Sequence, residues 1–324
     1  MAVLGVDAGG SKTHAVLCDN KGTPLGAGRS GCANWEAAGL DGAGASLREA
    51  VEKALVQAKL EPEQVQASAF GLAGLDWPSD EDRLGPVVES LGLPGSRLLL
   101  NDAFLPLRAG IENGVGLAAI AGSGTTVVGR NASGLTARSF GAGYPFPDWG
   151  GAYDIAEGAV HAVAKAYRNM GPQTSLTERM LAFCDREKAS ALLEGIMRLE
   201  VTVGGAFAPL VLDAANQGDA AAKAIVERAG TTIGENAVSV AKELDMLKPG
   251  FVLVTAGGVF SSRNSILEES LKRDVANHGA QVALRPLQCP PVVGAVLLAM
   301  DRINAVPSAD IDAFSAAVAD ALDS

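Results

Sequence analysis

The sequence has few cysteines and no basic cluster, and each shortage excludes a class of protein. The four cysteines among 324 residues, Cys18, Cys32, Cys184 and Cys289, are far apart and form no CxxC pair. This spacing argues against a structural zinc site and against a disulfide framework. The net charge is −11, and no group of Lys and Arg residues is dense enough to form a basic stripe. We therefore expect no nucleic-acid partner.

Long apolar runs are missing as well. No run is long enough to span a bilayer, and the sequence starts as an apolar strand with neither a basic segment nor a cleavage site. We therefore expect no membrane partner and a cytoplasmic location. The length of 324 residues suggests two domains, and a hydrophobic content of 48% is ample for two buried cores.

The opening stretch, residues 3–18, reads as an apolar strand, a two-glycine turn and a second strand. Gly9 and Gly10 can take the positive-φ conformations of a tight hairpin, and without side chains they let backbone N–H groups approach a ligand. Such a nest of amides suits phosphate oxygens, and Asp7 at the strand end is placed to hold Mg²⁺ through water. The candidate phosphate contacts of this turn are Gly9, Gly10, Ser11, Lys12 and Thr13.

Two other interpretations of this turn are open. A Walker-type loop needs Gly-Lys-Ser/Thr leading into a helix, whereas Ser11 separates Gly10 from Lys12 and the chain continues as a strand. An ordinary hairpin with a solvated Asp7 also fits, because a Gly-Gly turn is a weak signal.

A second copy of the pattern favours phosphate binding. Residues 117–129 again run from an apolar strand through a glycine turn to an apolar strand, and two such hairpins facing each other would grip one polyphosphate from both sides. The candidate phosphate contacts of this second turn are Gly122, Ser123, Gly124 and Thr125.

Residues 7–13, Asp-Ala-Gly-Gly-Ser-Lys-Thr, with residues 122–125, Gly-Ser-Gly-Thr, resemble the phosphate loops of the sugar kinase, actin and heat-shock ATPase superfamily. Within it, the sequence is most similar to the BadF-type ATPases and the N-acetylglucosamine kinases, over essentially the whole chain. The resemblance implies an α/β fold of two actin-like (ribonuclease H-like) domains, each a mixed five-stranded sheet flanked by helices, with a cleft between them. It also implies ATP and Mg²⁺ as cofactors and a homodimer, since related kinases commonly are dimers.

The strand and helix pattern of the first part agrees with this fold. Residues 65–72 and 98–102 read as strands that alternate with helices after an antiparallel meander, which predicts a mixed five-stranded sheet. A helix from about Ser79 to Leu91 is expected to be capped by Ser79, with Asp82 three residues on. We expect an N-terminal domain over residues 1–110 and a C-terminal domain over residues 111–324, whose last helix can pack back on the N-terminal domain.

Asp102 is the candidate catalytic residue. It follows a buried strand, and open α/β sheets gather ligands at the carboxyl ends of their strands. Phosphoryl transfer to a sugar hydroxyl needs a carboxylate that orients the hydroxyl and takes its proton, and the resemblance assigns this role, with a sugar contact, to Asp102. The alternative is that Asp102 caps the helix of residues 103–110, a role that Asp performs well.

Sugar contacts are expected from several loops. Asn34 offers both an amide donor and an acceptor, and the Trp35 ring suits the C–H face of a sugar, although a helix start with a partly buried Trp is the alternative. Gly74 lies in a strand-to-loop transition of the kind that lines a cleft. Asp148 keeps the first acid of the family's Gly-Asp-Glu-Gly-Ser segment, but Trp149 replaces the second, which puts the identity of the sugar in doubt.

A further glycine pair ends the apolar strand of residues 251–256. The resemblance makes Gly257 and Gly258 the adenosine-binding pair, because a flat adenine or ribose can lie on a backbone without side chains. A plain strand-to-helix turn is the alternative, since glycine pairs commonly mark turns.

The function that these observations favour is transfer of the γ-phosphoryl group of ATP to a small-molecule amino sugar. N-acetylglucosamine, giving the 6-phosphate, is the leading acceptor, and glucosamine or glucose are alternatives. A different class is a BadF-type ATPase that works as an activator or conformational motor, which needs closely placed cysteines for an iron–sulfur cluster. A sugar-binding regulator without catalysis is the third alternative.

Overall fold

The computed structural model describes residues 1–323, which form two compact units. The first unit combines residues 1–115 with residues 287–323, and the second is Gly116–Pro286. None of the helices within residues 1–323 has both the length and the hydropathy that crossing a bilayer requires.

Residues 1–323 form ten strands in two mixed five-stranded sheets. The strands are β1 (Ala2–Ala8), β2 (Thr13–Asp19), β3 (Pro24–Ser30), β4 (Val65–Leu72), β5 (Ser96–Asn101), β6 (Gly116–Ala121), β7 (Thr125–Arg130), β8 (Thr136–Arg138), β9 (Phe251–Ala256) and β10 (Val282–Pro286). The strand orders are β3-β2-β1-β4-β5 in the first unit and β10-β9-β6-β7-β8 in the second. The same described residues form twelve α-helices: α1 (Trp35–Ala58), α2 (Pro78–Glu89), α3 (Phe104–Gly110), α4 (Ala152–Tyr167), α5 (Leu176–Phe183), α6 (Ala189–Met197), α7 (Ala208–Asn216), α8 (Ala220–Glu243), α9 (Gly258–Ser261), α10 (Ser265–Asn277), α11 (Val292–Asp301) and α12 (Ile311–Asp323).

The two sheets share one connection pattern, which confirms the predicted fold class. In the first unit β1 pairs antiparallel with β2 and parallel with β4, and β4 is parallel to β5. In the second unit β6 pairs antiparallel with β7 and parallel with β9. Because parallel neighbours point the same way, the carboxyl ends of β1, β4 and β5 meet at one edge, and those of β6 and β9 meet at another.

The first sheet is buried on both faces. Leu4 and Val6 of β1 belong to a core cluster that includes α1, whereas Val3 belongs to a cluster built on α11. Gly5 lies under α11 so closely that a Cβ atom there would be 2.3 Å from the backbone N of Val296. The absence of a side chain at Gly5 therefore lets α11 lie directly on the sheet.

The division into units differs from the expected one at the C-terminus. The expectation placed residues 111–324 in the second domain and allowed the last helix to pack back on the first. Both α11 and α12 lie in the first unit, where α11 packs on β1 and α3 and α12 packs on β3. The physical reason is that α11 is buried along most of its length, so it needs an apolar sheet face, and the face containing Val3, Val16 and Ala67 provides it.

The second unit covers its sheet with the helical block that the sequence predicts. Helix α8 packs against α10, α7 and α4, and its buried residues include Ile225, Ala229 and Ile233. This block and the apolar residues of β6, β7 and β9 form one core cluster.

The contact between α11 and α3 can be tested with glycine substitutions. A Cβ atom on Gly294 would lie 2.0 Å from the carbonyl oxygen of Leu105, a backbone atom that cannot move aside alone. We expect Gly294→Ala to lower the free energy of unfolding by about 1–3 kcal/mol, the usual cost of overpacking. Urea denaturation measures this.

Gly44→Ala in α1 is the matched control. There the nearest atom to the added methyl is Cγ1 of Val87 at 3.2 Å, the end of a side chain, and alanine favours the helix. This variant should remain within about 1 kcal/mol of the parent chain. Equal stabilities of the two variants would contradict the described packing of α11.

Candidate active site

The first predicted phosphate loop is the turn between β1 and β2. The backbone N–H of Gly9 donates to the carbonyl of Lys12 at 3.0 Å, and Gly10, Ser11 and Lys12 are exposed. Thr13 is buried, and its hydroxyl donates to the carbonyl of Gly31 at 2.8 Å. The amides of the turn are therefore open to a ligand, while the Thr13 hydroxyl ties the turn to the loop that precedes α1.

Two carboxylates lie at the sheet edge where β1, β4 and β5 end. Asp7 is the penultimate residue of β1, and Asp102 directly follows β5. The pKa of Asp7 is raised from 3.8 to about 7, mainly by burial and then by the negative charge of Asp102, while Lys12 opposes both effects. The sequence predicted both acids as site residues, and the structure brings them close enough to interact.

His14 does not compensate the charge of Asp7, although it is the residue opposite Asp7 on β2. The pKa of His14 is lowered from 6.5 to about 4, mainly by burial and then by the charges of Lys12 and Arg29, while Asp323 opposes these effects. His14 is therefore neutral at pH 7, and Lys12 is the cation that favours ionised Asp7.

Asn34 and Trp35 lie at the start of α1, which is the alternative that the sequence left open for these two residues. The Asn34 side-chain oxygen accepts from the backbone N–H of Glu36 at 2.9 Å, which makes Asn34 the N-cap. The Trp35 ring nitrogen donates to the carbonyl of Gly74 at 2.7 Å. Gly74 has φ +81, and a Cβ atom there would be 2.8 Å from the Asn34 side-chain oxygen. Asn34, Trp35 and Gly74, three of the predicted sugar contacts, thus form one cluster that includes the hydrogen bond from Trp35 to Gly74.

The N-cap position of α3 is occupied by Ala103 and not by Asp102. The side-chain oxygen of Asn101 accepts from the backbone N–H of Ala103 at 3.0 Å, and the side-chain amide of Asn101 donates to Asp76 at 2.9 Å. Asn101 and Asp76 were not singled out as site residues from the sequence. A polar residue next to Asp102 was visible there, but its partner, 25 residues away, was not.

The second predicted phosphate loop is packed between two glycines. A Cβ atom on Gly257, which has φ +95, would lie 2.4 Å from the carbonyl oxygen of Ala121. A Cβ atom on Gly151 would lie 2.5 Å from Cα of Gly124. The N–H of Ala152 also donates to the carbonyl of Gly122 at 2.9 Å. The predicted phosphate loop, Gly257 and the start of α4 are therefore in direct backbone contact.

Among the buried polar atoms of this unit that have no hydrogen-bond partner within residues 1–323, two belong to predicted ligand contacts. They are the hydroxyl oxygen of Thr125 and the Oδ1 atom of Asp148. The other carboxylate oxygen of Asp148 accepts from the N–H of Ala142 at 3.1 Å, and the residue is fully buried. Buried polar atoms normally have partners, so both atoms are candidates for ligand contacts.

Trp149, where the family resemblance led us to expect a second acid, is a core residue. Only 8% of it is exposed, and the guanidinium carbon of Arg228 lies 4.2 Å from its ring centroid. The ring and the cation cover each other, which is a favourable arrangement. Trp149 therefore fills space beneath the loop that contains Asp148.

Comparisons with known proteins agree over nearly the full length. The chain is 30% identical over 304 residues to an N-acetylmuramic acid/N-acetylglucosamine kinase of Clostridium acetobutylicum, covering 93% of this chain and 99% of the relative. It is 29% identical to an N-acetyl-D-glucosamine kinase of Dictyostelium discoideum, covering 92% of this chain and 97% of the relative. The crystal structure of a proposed N-acetylglucosamine kinase from Chromobacterium violaceum is similar with a TM-score of 0.67 and 25% identity, covering 92% of this chain and 98% of that one.

A family model matches residues 4–299, a range that contains both predicted phosphate loops, both strand-end carboxylates and the adenosine glycines. The chain belongs to the BadF/BadG/BcrA/BcrD ATPase family.

Proposed function

We propose that the chain is an ATP-dependent amino-sugar kinase that transfers the γ-phosphoryl group to the 6-hydroxyl of N-acetylglucosamine. The observation that carries the proposal is the placement of Asp102 beside Asp7 at the edge where β1 and β5 end, next to the first phosphate loop. The near full-length similarity to two N-acetylglucosamine kinases supports the choice of acceptor.

Asp102 acts as the general base in this proposal. A sugar hydroxyl is a weak nucleophile, and a carboxylate that accepts its proton during transfer lowers the barrier. Asp102 follows β5 directly, and its backbone carbonyl accepts from the N–H of Leu105 at 3.0 Å, so it is held at the first turn of α3. A base on such an ordered segment is fixed in direction before the sugar arrives.

The glycine turns are assigned to the phosphoryl donor, ATP. The exposed amides of Gly10 and Ser11, with the Lys12 ammonium group, are suited to phosphate oxygens. In the second unit, the hydroxyl of Thr125, which has no partner within residues 1–323, is a further hydrogen-bond donor. The pair Gly257 and Gly258 is assigned to adenosine, and Gly258 is exposed with open space where a side chain would be.

The Asp7 carboxyl group fits Mg²⁺. It is a hard oxygen donor, and its ionised form lacks sufficient compensation from the protein, because burial and Asp102 together raise its pKa to about 7. Asp7 would hold the ion through water, and bound Mg²⁺ supplies positive charge to the phosphate oxygens during transfer.

The acceptor contacts assigned to the sugar are Asn34, Trp35, Gly74, Asp102 and Asp148. The side-chain amide of Asn34 makes no hydrogen bond within the described residues, so it can donate to a hydroxyl or acetamido oxygen while the side-chain oxygen caps α1. The buried Oδ1 atom of Asp148 is a matching acceptor for a hydroxyl. Both assignments rest on unfilled hydrogen-bonding capacity.

The activator alternative is less favoured, for a reason of cysteine chemistry. Iron–sulfur clusters are held by thiolates. Burial raises the pKa of Cys18 to about 12 and also raises the pKa of Cys289, so both remain thiols at neutral pH.

The proposal is tested by ATP-coupled ADP release across a panel of N-acetylglucosamine, N-acetylmuramic acid, glucosamine, glucose and N-acetylmannosamine. We expect the highest kcat/KM with N-acetylglucosamine. Steady ATP hydrolysis without stimulation by any sugar would support the activator alternative, and sugar binding without turnover would support a regulator.

Replacing Asp102 by Asn tests the base. The substitution keeps the size of the side chain but removes its ability to take a proton. Turnover should fall about 10²-fold or more. The melting temperature should stay within a few degrees, about 1 kcal/mol, and the dissociation constants for sugar and ATP within about tenfold. Steady-state kinetics, calorimetry and thermal unfolding measure these quantities.

Asp102→Glu is the companion variant, because it keeps the charge and displaces it by about one methylene. It should recover little of the rate. If Asp102→Asn keeps most of its activity with every accepted sugar, Asp102 is not the base.

The raised pKa of Asp7 predicts how stability depends on pH. Ionisation of Asp7 is easier in the unfolded chain, so its contribution to stability is complete below pH 3.8 and is lost as the pH rises through about 7. Asp7→Asn has no such loss. The stability of Asp7→Asn relative to the parent chain should therefore increase as the pH rises from about 3.8 and level off above about pH 7. Urea denaturation at several pH values measures this difference.

The exposed carboxylate of Asp82 on α2 provides the control. The stability of Asp82→Asn relative to the parent should change much less over the same range. Removing the charge of Asp102 should move the Asp7 transition to lower pH, because that charge raises the Asp7 pKa. If Asp102→Asn leaves the pH of the Asp7 transition unchanged, the two carboxylates do not interact.

A further inference from the structure

The loop that follows β4 lies beside the end of β5. The two strands are parallel neighbours, with Leu72 opposite Asn101, so the chain leaving β4 passes the residue that precedes Asp102. In this loop Asp76 accepts a hydrogen bond from the side-chain amide of Asn101 at 2.9 Å. A carboxylate acceptor makes this bond stronger than one between neutral groups.

Asn101 uses both ends of its side chain. The residue is 6% exposed, and while its amide group donates to Asp76, its oxygen accepts from the backbone N–H of Ala103 at 3.0 Å. Asn101 and Ala103 flank Asp102 in the chain. The Asn101 side chain therefore fixes the direction of the backbone on both sides of Asp102, and Asp76 fixes the direction of the Asn101 amide.

Asp76 is itself held in place from α2. The buried carboxylate of Asp80 accepts from the backbone N–H groups of Asp76 at 3.0 Å and Trp77 at 2.8 Å. A carboxylate oxygen of Asp80 also lies 3.8 Å from a guanidinium nitrogen of Arg83. The guanidinium carbon of Arg83 lies over the Trp35 ring, 4.9 Å from its centroid. The position of Asp76 is thus set by a buried neighbour and not by solvent.

We propose that Asp76 is a positioning residue for the phosphoryl-transfer base: through Asn101 it fixes the backbone that carries Asp102. The inference rests on the proposed kinase function and on the assignment of Asp102 as base. Asp76 acts as a hydrogen-bond acceptor, and its negative charge is not needed to take a proton.

Four variants separate this role from others. Asp76→Ala removes the acceptor, and kcat should fall about tenfold or more, because small displacements of a base are costly. Asp76→Asn keeps an oxygen that can accept from Asn101 and should keep most of the rate. Asn101→Asp keeps the oxygen that accepts from Ala103 but places two carboxylates against each other, and should be slow. Combining Asn101→Asp with Asp76→Asn exchanges donor and acceptor, and should restore activity.

The kinetic pattern distinguishes positioning from folding or binding. In the two slow variants KM for ATP should stay within about threefold of the parent, since the donor loops are unchanged, while kcat falls. If Asp76 were itself the base, Asp76→Asn would be as slow as Asp76→Ala. If the Asp76–Asn101 bond had no role, the double variant would be no faster than Asn101→Asp alone. Either result would overturn the proposal.

A readout that needs no turnover is the amide hydrogen exchange of Ala103, followed by NMR. Loss of the hydrogen bond between residues 76 and 101 should speed this exchange in Asp76→Ala and Asn101→Asp, and the double variant should restore protection. Asp82→Ala, which removes an exposed carboxylate on α2, is the control and should change neither exchange nor rate. Unchanged Ala103 protection in both single variants would refute the inference. Normal exchange effects in a parent chain that phosphorylates no sugar would refute the proposed function alone.

Discussion

The burial of Asp7 beside Asp102 is the interaction on which the site of the first unit depends. Burial disfavours ionisation of Asp7, and the negative charge of Asp102 adds to the cost, so the pKa of Asp7 rises to about 7. Lys12 offsets part of this cost, and neutral His14 offsets none. A buried carboxylate whose negative charge is only partly balanced by nearby positive groups at neutral pH attracts added positive charge. This is the physical basis for assigning the edge of β1 and β5 to a polyphosphate with its divalent cation.

The predicted phosphate loop of the second unit depends on close contact with the backbone of neighbouring segments. Gly151 and Gly257 touch the loop of residues 122–124 from different elements, and neither position has space for a Cβ atom. The φ of +95 at Gly257 disfavours other residues for a second reason. Because the loop is held at both sides by backbone atoms, its shape depends on α4 and β9 as much as on its own sequence.

The sequence predicted the parts of this structure that rest on local patterns. Apolar runs identified the strands, and the position of Asp7 and Asp102 at strand ends followed from those runs. The network around Asp102 was not predicted, because the bond on which it depends, from Asn101 to Asp76, joins residues that are distant in the chain. The expected cap of α2 fails for a local reason. Ser79 was expected to cap the helix, but the helix begins at Pro78, and the buried Asp80 carboxylate accepts from the preceding amides.

The sequence also did not identify the sheet on which α11 packs. The apolar pattern of this helix shows that it is buried, but it does not say which sheet covers it, and Gly5 and Gly294 decide that by permitting contact with β1 and α3. Trp149 is a related case. The sequence showed only that it replaces an acid of the resembled family, and its burial together with the packing of Arg228 over the ring shows that the indole fills a core.

The contacts around Asp102 connect the proposed acceptor contacts with the proposed base. Trp35 bonds to Gly74 and stacks with Arg83, and Arg83 lies next to Asp80, which holds the Asp76 loop. These contacts form a continuous series from Trp35 to the loop that orients Asn101. If a sugar packs on Trp35 as proposed, its fit against the ring and the direction of the Asp102 carboxylate are properties of one network. Such coupling favours catalysis with the acceptor that leaves the network undistorted, which is how binding energy at a distance from the reacting hydroxyl contributes to rate.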